Sequence, residues 1–307
     1  MPTLSMTAKG FKAPFNIHNG TSNRNITQKQ CIKFAVAVGN SHFSRAFGRT
    51  ATALALASYR AAAIRCVLDF GHNTLRIRAE YSQLESTEKI NLSYWIGMTF
   101  TAIAADRILG VPRLTHATRQ SGLRKVNPRS RSLADLVGED QQHRWHVFEA
   151  KGRQTTPSAT HRKDWKAQAR TVRSINNTNV STRSYCVGLL ATPCSFEMVD
   201  PPPRRRDPVD LKIDSDDLGL GYYRPFVEFL QTDVRTMTRN KRTVFVRPIT
   251  FDPIDNMSIY IGLENRHFSA AERRAEIPFS VKEYEDDTLY IGKDGVAVAT
   301  SKGPCDL

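Results

Sequence analysis

The sequence has few of the features that define disulfide-rich, zinc-binding or membrane-spanning proteins. Its five cysteines, at positions 31, 66, 186, 194 and 305, form no CxxC pair, so neither a disulfide framework nor a zinc knuckle is indicated. The longest uncharged run, Ile90–Ala105, contains polar residues and is shorter than the roughly 20 apolar residues that a membrane span needs. We therefore expect no membrane partner and a reducing, cytoplasmic environment.

Acidic residues are scarce at the start of the chain, where none precedes Asp69. Over all 307 residues, 44 Lys and Arg stand against 30 Asp and Glu, which gives a formal net charge of +14. Such an excess is typical of a polyanionic partner, either nucleic acid or an anionic membrane surface, and it says little about fold. Of the two, we expect nucleic acid. The hydrophobic content of 40% is sufficient for a packed core.

A run of three prolines and three arginines at 201–206, followed by acidic residues, marks the clearest boundary in the chain. We expect a basic N-terminal extension of helix and strands at 1–84, a central core at 85–199, a linker at 200–217 and a C-terminal α+β region at 218–307. Within the extension, Cys31–Val38 is predicted to be a strand. A terminal hairpin is predicted to turn at Lys293–Gly295.

Two apolar segments, Leu133–Val137 and Trp145–Gly152, are predicted to be neighbouring strands, and each contains a carboxylate. These are Asp135 and Glu149, and Lys151 follows two residues after the second. Burying an unpaired charge is unfavourable, so such groups must be paired, bound to metal or shifted in pKa. An isolated Glu-x-Lys on a strand is more often a solvated ion pair. The apolar neighbours favour a functional site instead.

Strand geometry brings these three residues together. Glu149 and Lys151 point to one face because side chains alternate along a strand. A three-residue turn at Gln141–His143 would place Asp135 directly opposite Glu149, whereas a shift by one residue would move Asp135 to the other face. Two adjacent carboxylates suit Mg²⁺ or Mn²⁺, which can activate water and stabilise charge on a phosphate.

The predicted order of helix, strand, Asp-bearing strand, Glu-x-Lys strand, helix and strand resembles the PD-(D/E)xK, restriction-endonuclease-like nuclease core. The matching residues are Ala134-Asp135 and Glu149-Ala150-Lys151, with alanine in place of the usual proline. The resemblance implies an α-β-β-β-α-β core, with a mixed sheet flanked by helices and with N- and C-terminal α+β extensions. It also implies that Asp135, Glu149 and the backbone carbonyl of Ala150 bind the metal and that Lys151 positions the attacking water. Many members add a Glu from the first helix. The predicted helix Asn91–Leu109 offers only Asp106, near its end, and Glu85 and Glu88, just upstream, are alternative candidates.

Basic residues surround this constellation. A predicted helix, Lys163–Asn176, carries an apolar stripe on one side and a row of cations, Lys166, Arg170 and Arg173, on another. Such a row suits a phosphate backbone, although a solvated helix face is the common alternative. Gln168 lies beside the stripe, within reach of the site. Further cations are expected to form either a cleft wall for DNA or a flexible basic loop: Arg113, Arg119, Arg124, Lys125, Arg129, Arg131, Arg153 and Arg162. His146 alternates away from Glu149 and is predicted to leave the site.

Three functional hypotheses follow. The leading one is a Mg²⁺-dependent endonuclease that hydrolyses phosphodiester bonds in DNA, with a defence or DNA-processing role suggested by analogy alone. The second is a catalytically inactive nucleic-acid-binding or assembly protein on the same fold. The third is a basic module that binds an acidic protein. The flanking regions are expected to grip DNA, form a homodimer or dock a partner protein.

Overall fold

The protein is a mixed α/β structure. A computed structural model describes residues 1–39, 50–117, 124–125, 133–201, 209–213, 215–252, 256–277 and 282–303. The described helices are α1 (Gln28–Ala37), α2 (Thr50–Val67), α3 (Ser86–Leu109), α4 (Ala159–Ala169), α5 (Ser215–Phe229) and α6 (Asn265–Glu272). The described strands are β1 (Thr3–Lys9), β2 (Gly20–Asn25), β3 (Leu68–Asp69), β4 (Arg76–Ile77), β5 (Thr115–His116), β6 (Arg124–Lys125), β7 (Leu136–Glu139), β8 (Trp145–Arg153), β9 (Val172–Ile175), β10 (Thr178–Asn179), β11 (Thr182–Leu189), β12 (Ser195–Val199), β13 (Val209–Lys212), β14 (Arg235–Arg239), β15 (Arg242–Asp252), β16 (Met257–Glu264), β17 (Tyr284–Glu285), β18 (Leu289–Ile291) and β19 (Val296–Lys302).

The main sheet joins seven of the described strands in the order β2-β1-β12-β11-β8-β7-β5. Strands β5, β7 and β8 are antiparallel neighbours, whereas β11 runs parallel to β8 because α4 forms the crossover between them. Helix α3 packs on the face that carries Leu136, Phe148 and Cys186. Helix α4 buries Trp165 and Ala169 against Tyr185 and Val187 on the opposite face. The central strands are therefore covered on both sides.

The first 84 residues are part of this framework. Strand β1 pairs in parallel with β12, and β2 extends the sheet at its edge. The prediction of a strand at Cys31–Val38 is wrong, because Cys31–Ala37 lies in α1 and Val38 is the C-cap of that helix. Thr27 and Gln30 form a reciprocal capping box at the start of that helix. The segment is buried on all sides, so its periodicity could not distinguish a buried helix from a buried strand.

The predicted helix Lys163–Asn176 is also wrong in its second half. Helix α4 ends at Ala169, and the chain continues as β9. The β-branched residues Val172 and Ile175, which extended the apolar stripe in the sequence, are instead buried in a second core beneath the main sheet. Strand β9 lines this second core as part of a four-stranded sheet with the order β10-β9-β13-β6. Because β13 falls within residues 200–217, part of the predicted linker is a strand instead.

The C-terminal region forms a six-stranded antiparallel sheet in the order β14-β15-β16-β19-β18-β17. The predicted terminal hairpin is present as β18 and β19, and Gly295 has a φ of 74° in its turn. This sheet packs through α1 against α3, behind the main sheet. One continuous core cluster joins N-terminal, central and C-terminal residues. Within the described ranges, no helix combines the length and apolar composition that crossing a bilayer requires.

Helix α3 approaches β8 so closely that glycine is needed on both elements. A Cβ added to Gly152 would lie 1.7 Å from the carbonyl oxygen of Ser93, and one added to Gly97 would lie 2.4 Å from the amide nitrogen of Gly152. Both obstacles are backbone atoms, which cannot move without displacing the whole element. This contact fixes the strand at the residue that follows Lys151.

Replacing Gly152 with alanine should destabilise the protein by about 3 kcal/mol or more, because helix and strand would have to separate. Chemical denaturation monitored by circular dichroism would measure the loss. Gly221→Ala is the matched control, since a Cβ there meets no atom within 4 Å and alanine favours a helix. Equal stability of the Gly152 and Gly221 variants would contradict the described contact.

Candidate active site

The register between β7 and β8 is the one that the three-residue turn predicts. Leu136 pairs with Phe148 and Val137 with Val147, which aligns Asp135, just before β7, with Glu149. The turn closes through hydrogen bonds between Asp140 and Arg144 and between the His143 amide and the Asp140 carbonyl. The prediction that Asp135, Glu149 and Lys151 share one face is confirmed.

Lys151 is held between the two carboxylates. Its ammonium donates a short hydrogen bond to Glu149 Oε1 and lies 3.5 Å from Asp135 Oδ2. Asp135 Oδ2 also accepts the amide N–H of Ala150 at 2.9 Å. This bond spans the two strands and fixes the Asp135 side chain beside the centre of β8. The three residues form one cluster of opposite charges.

Glu149 is the most constrained member of this cluster, because the residue is only 2% exposed. Burial and the neighbouring Asp135 carboxylate raise its pKa to about 7, although Lys151 acts in the opposite direction. Burial alone would lower the pKa of Lys151, but the Asp135 and Glu149 carboxylates outweigh it and raise that pKa. The ammonium therefore stays charged while the buried carboxyl titrates near neutrality.

The second oxygen of Glu149 shows why a cation would fit here. Oε2 is buried and has no hydrogen-bond partner, which leaves a lone-pair direction unsatisfied. The Ala150 N–H bonds Asp135, and in an extended strand the carbonyl of the same residue faces the same neighbouring strand. Glu149, Asp135 and the Ala150 carbonyl thus supply oxygen donors of the type that Mg²⁺ or Mn²⁺ prefers. Among the described residues, no group of three His, Cys, Asp or Glu side chains could hold a metal.

The additional candidates Glu88 and Gln168 have different surroundings. Glu88 is exposed, and its carboxylate accepts the Glu85 N–H in a capping box at the start of α3, so it already has a structural role. Gln168 lies near the Asp135 segment: its carbonyl accepts a hydrogen bond from the Thr171 hydroxyl, whose oxygen accepts the Ala134 N–H. Its side-chain Oε1 is buried without a hydrogen-bond partner.

The prediction that Lys166, Arg170 and Arg173 form one row along a helix is wrong, because α4 ends at Ala169. Lys166 lies on α4 and Arg170 at its C-cap, but Arg173 lies on β9, where its guanidinium pairs with Asp210. The true row at helical spacing is therefore Arg162, Lys166 and Arg170. Arg162, which the sequence analysis did not place in the row, hydrogen-bonds Glu197 on β12 at 2.6 Å. Its spacing of four from Lys166 was the signal that could have identified it.

The other basic candidates lie at the margins of the site. Arg153, at the end of β8, is half-buried and shares the face of Lys151. Arg124 and Lys125 form β6, which pairs with β13 at the edge of the four-stranded sheet. The remaining residues between 118 and 132 lie outside the described part of the chain. The sequence predicts a loop in this range. Of its residues, the structure describes only Arg124 and Lys125, and these two form the strand β6 instead.

His146 leaves the site, as predicted, and belongs to a buried network that the sequence did not reveal. Its ring bonds Asp140 at 3.1 Å and Thr182 at 2.9 Å. Burial alone would raise the pKa of Asp140, but hydrogen bonds from His146 and Arg144 hold it at about 2. This network closes the β7–β8 turn and ties β8 to β11, so it stabilises the register on which the site depends.

No family model, no curated protein and no solved structure matches this chain. The site is therefore interpreted from its own geometry.

The raised pKa of Glu149 predicts a pH-dependent stability in the absence of divalent metal. The unfolded chain loses this proton near pH 4.5 and the folded protein near 7, so the contribution of Glu149 to stability is fully present below pH 4.5 and is lost as pH rises through 7. Between pH 5 and 8 this group should lower the free energy of unfolding by on the order of 2 kcal/mol.

Urea denaturation in EDTA at both pH values would measure this change. Glu149→Gln should abolish the decline because its side chain does not ionise. Glu197→Gln, which replaces a partly exposed carboxylate on the same face, should retain it. A wild-type decline that persists unchanged in Glu149→Gln would show that another group causes it.

Proposed function

We propose that the protein is a metal-dependent nuclease of the PD-(D/E)xK kind that hydrolyses phosphodiester bonds in DNA. The observation that carries the proposal is the alignment of Asp135 with Glu149 across two paired strands, with Lys151 in contact with both. The buried, unpartnered oxygen of Glu149 supports a cation at this point.

The order of the central elements supports the same family. Helix α3 is followed by β5, β7 and β8 as an antiparallel meander, and then by α4 and by β11 parallel to β8. The strands β6, β9 and β10 intervene in the chain but belong to the four-stranded sheet, so the elements of the main sheet are compatible with the α-β-β-β-α-β order that the resemblance implies. The candidate residues lie near the middle of the resulting sheet, where α4 and the four-stranded sheet leave the ends of Lys151 and Asp135 partly exposed.

Each residue has a distinct role in such a reaction. Asp135, Glu149 and the Ala150 carbonyl would hold Mg²⁺ or Mn²⁺, which when bound lowers the pKa of water and stabilises negative charge on a phosphate. Lys151 would orient the attacking water or bind a nonbridging phosphate oxygen, since its raised pKa keeps it a donor. Gln168, with its unpartnered oxygen, would contact water or substrate at the margin of the site.

A non-catalytic nucleic-acid-binding protein is the second candidate. The observation that favours it is the contact of Lys151 with both carboxylates, which balances part of their charge without a metal. In that case the cluster would be a buried ion-pair network that stabilises the sheet.

The two functions predict different results for a supercoiled plasmid incubated with Mg²⁺ or Mn²⁺. For a nuclease, wild type should nick the plasmid, EDTA should prevent nicking, and Asp135→Asn and Lys151→Ala should each lose at least about 100-fold in rate. Glu272→Gln, which replaces an exposed carboxylate at the end of α6, is the matched control and should keep wild-type activity. Cleavage that survives in both site variants would place the activity elsewhere.

Mn²⁺ binding, measured by electron paramagnetic resonance, distinguishes the residues that would bind the metal from Lys151, which would not. Asp135→Asn and Glu149→Gln should weaken Mn²⁺ binding, whereas Lys151→Ala should maintain or strengthen it, because the ammonium competes for the same oxygens. Absence of both Mn²⁺ binding and cleavage in wild type would favour the non-catalytic protein.

A further inference from the structure

The face of the main sheet that carries the candidate site continues beyond it as a polar surface. Paired residues share a face, and the row that starts at Lys151 runs through Val187, Glu197 and Thr7 to Thr21. The neighbouring row runs from Glu149 through Tyr185 and Val199 to Lys9 in the same way. On β2, residues 21, 23 and 25 of this face are exposed threonine and asparagine.

Helix α4 stands as a ridge on this face, between the candidate site and the polar surface. Trp165 and Ala169 anchor it over β11. On one flank, Thr171 connects the end of the helix to the segment of Asp135. On the other flank, Arg162 reaches across to Glu197 of β12. The candidate site and the polar surface are therefore separated by one helix.

Cations concentrate on the flank of α4 that faces away from the site. Lys166 and Arg170 follow Arg162 at intervals of four residues and so share its side of the helix. Lys9, whose side chain is 60% exposed, borders the same space from β1. We call this space, bounded by Arg162, Lys166 and Arg170 on α4 and by Thr7 and Lys9 on β1, the α4–β1 groove.

Asp200, at the end of β12, marks the far end of the groove. Burial raises its pKa, whereas the hydrogen bond from the Arg183 N–H and the charges of Arg183, Lys12 and Arg170 act against this rise. The Asp200 amide N–H bonds the Lys9 carbonyl, so this end of the groove adjoins β1. The groove and its end thus combine six cations, Lys9, Lys12, Arg162, Lys166, Arg170 and Arg183, with two carboxylates, Glu197 and Asp200. The excess of positive charge suits a phosphate backbone.

The distance between the candidate site and the α4–β1 groove fits a DNA duplex as the partner. Glu149 and Lys9 lie three strands apart in one row, which corresponds to about 14 Å at the usual strand spacing. An α-helix with its side chains is about 10–12 Å wide, and the major groove of B-form DNA is about 12 Å wide. A helix flanked by two phosphate-binding surfaces at this separation therefore matches a duplex whose two backbones pass on either side of it.

We propose that the protein binds double-stranded B-form DNA astride α4, with one backbone at Asp135, Glu149 and Lys151 and the other in the α4–β1 groove. This proposal rests on the proposed function for the first backbone, whereas the second depends only on the groove. A single strand has one backbone and cannot occupy both surfaces. An A-form RNA duplex has a major groove too narrow to admit a helix.

Binding should be measured by fluorescence anisotropy in Ca²⁺, which takes the same oxygen ligands as Mg²⁺ and would neutralise the two carboxylates. The probes are a DNA duplex of about 20 base pairs, its single strand and an RNA duplex of the same sequence. We expect the DNA duplex to bind most tightly. Lys9→Ala/Lys166→Ala should lower the slope of log affinity against log salt by about 2, so that wild type loses about tenfold more affinity than the variant between 50 and 200 mM salt. Lys302→Ala, an exposed cation on the C-terminal sheet, is the matched control and should keep the wild-type slope.

A footprint on the duplex provides a second, independent measurement. Hydroxyl-radical cleavage should show one protected patch on each strand, facing each other across the major groove, and the double variant should lose one patch. An unchanged salt slope in Lys9→Ala/Lys166→Ala, or equal affinity for the single strand and the RNA duplex, would overturn the proposal.

The results of the binding and footprinting experiments can be distinguished from the result of the nuclease test, because binding and footprinting need no cleavage by the protein. Duplex binding that depends on Lys9 and Lys166, without any Mg²⁺-dependent nicking, would support the groove and contradict the nuclease. Nicking that depends on Asp135, with duplex binding indifferent to Lys9 and Lys166, would support the nuclease and overturn the groove.

Discussion

The buried carboxylate of Glu149 is the constraint on which the arrangement of the site depends. A carboxylate inside a sheet is unfavourable unless its charge is neutralised by a proton, a cation or a pair of donors. Here Lys151 satisfies one oxygen, and the other oxygen has no partner. Burial and the Asp135 carboxylate raise the pKa of Glu149, because Lys151 offsets only part of the cost of its charge. Under the proposed function, the same burial that lowers stability at high pH would favour a cation at this oxygen.

Two features hold this unfavourable group in place. On one face, the contact between α3 and Gly152 leaves no room for the strand to shift or twist. Along the strand, the bonds of His146 to Asp140 and Thr182 fix the turn and the pairing with β11. Because a shift of one residue would move Asp135 to the opposite face, these features determine whether the charges meet at all. They lie outside the three-residue cluster, yet its geometry requires them.

The sequence predicted the site better than it predicted the flanking elements, for a physical reason. The pairing of Asp135 with Glu149 depends on strand alternation and on a three-residue turn, both of which are local and visible in the residues. The helical state of Cys31–Val38 cannot be read locally in this way, because every residue of the segment is buried, including Lys33, which pairs with Asp294, so no exposed face gives a period. The capping pair Thr27 and Gln30 was the available signal. The pairing of β1 with β12 joins residues nearly 200 positions apart, which no periodicity could reveal.

The end of α4 shows how a small error in an element changes a functional argument. If the helix continued to Asn176, its cations would include Arg173 and form a row without a structural partner. Because it ends at Ala169, Arg173 pairs with Asp210 on a strand, and the row begins at Arg162 instead. Arg162 contacts Glu197, so the row faces β12 and the polar surface of β1. The row of cations on α4 therefore lies on the side of the helix away from the candidate site, and α4 separates two surfaces that one duplex could span.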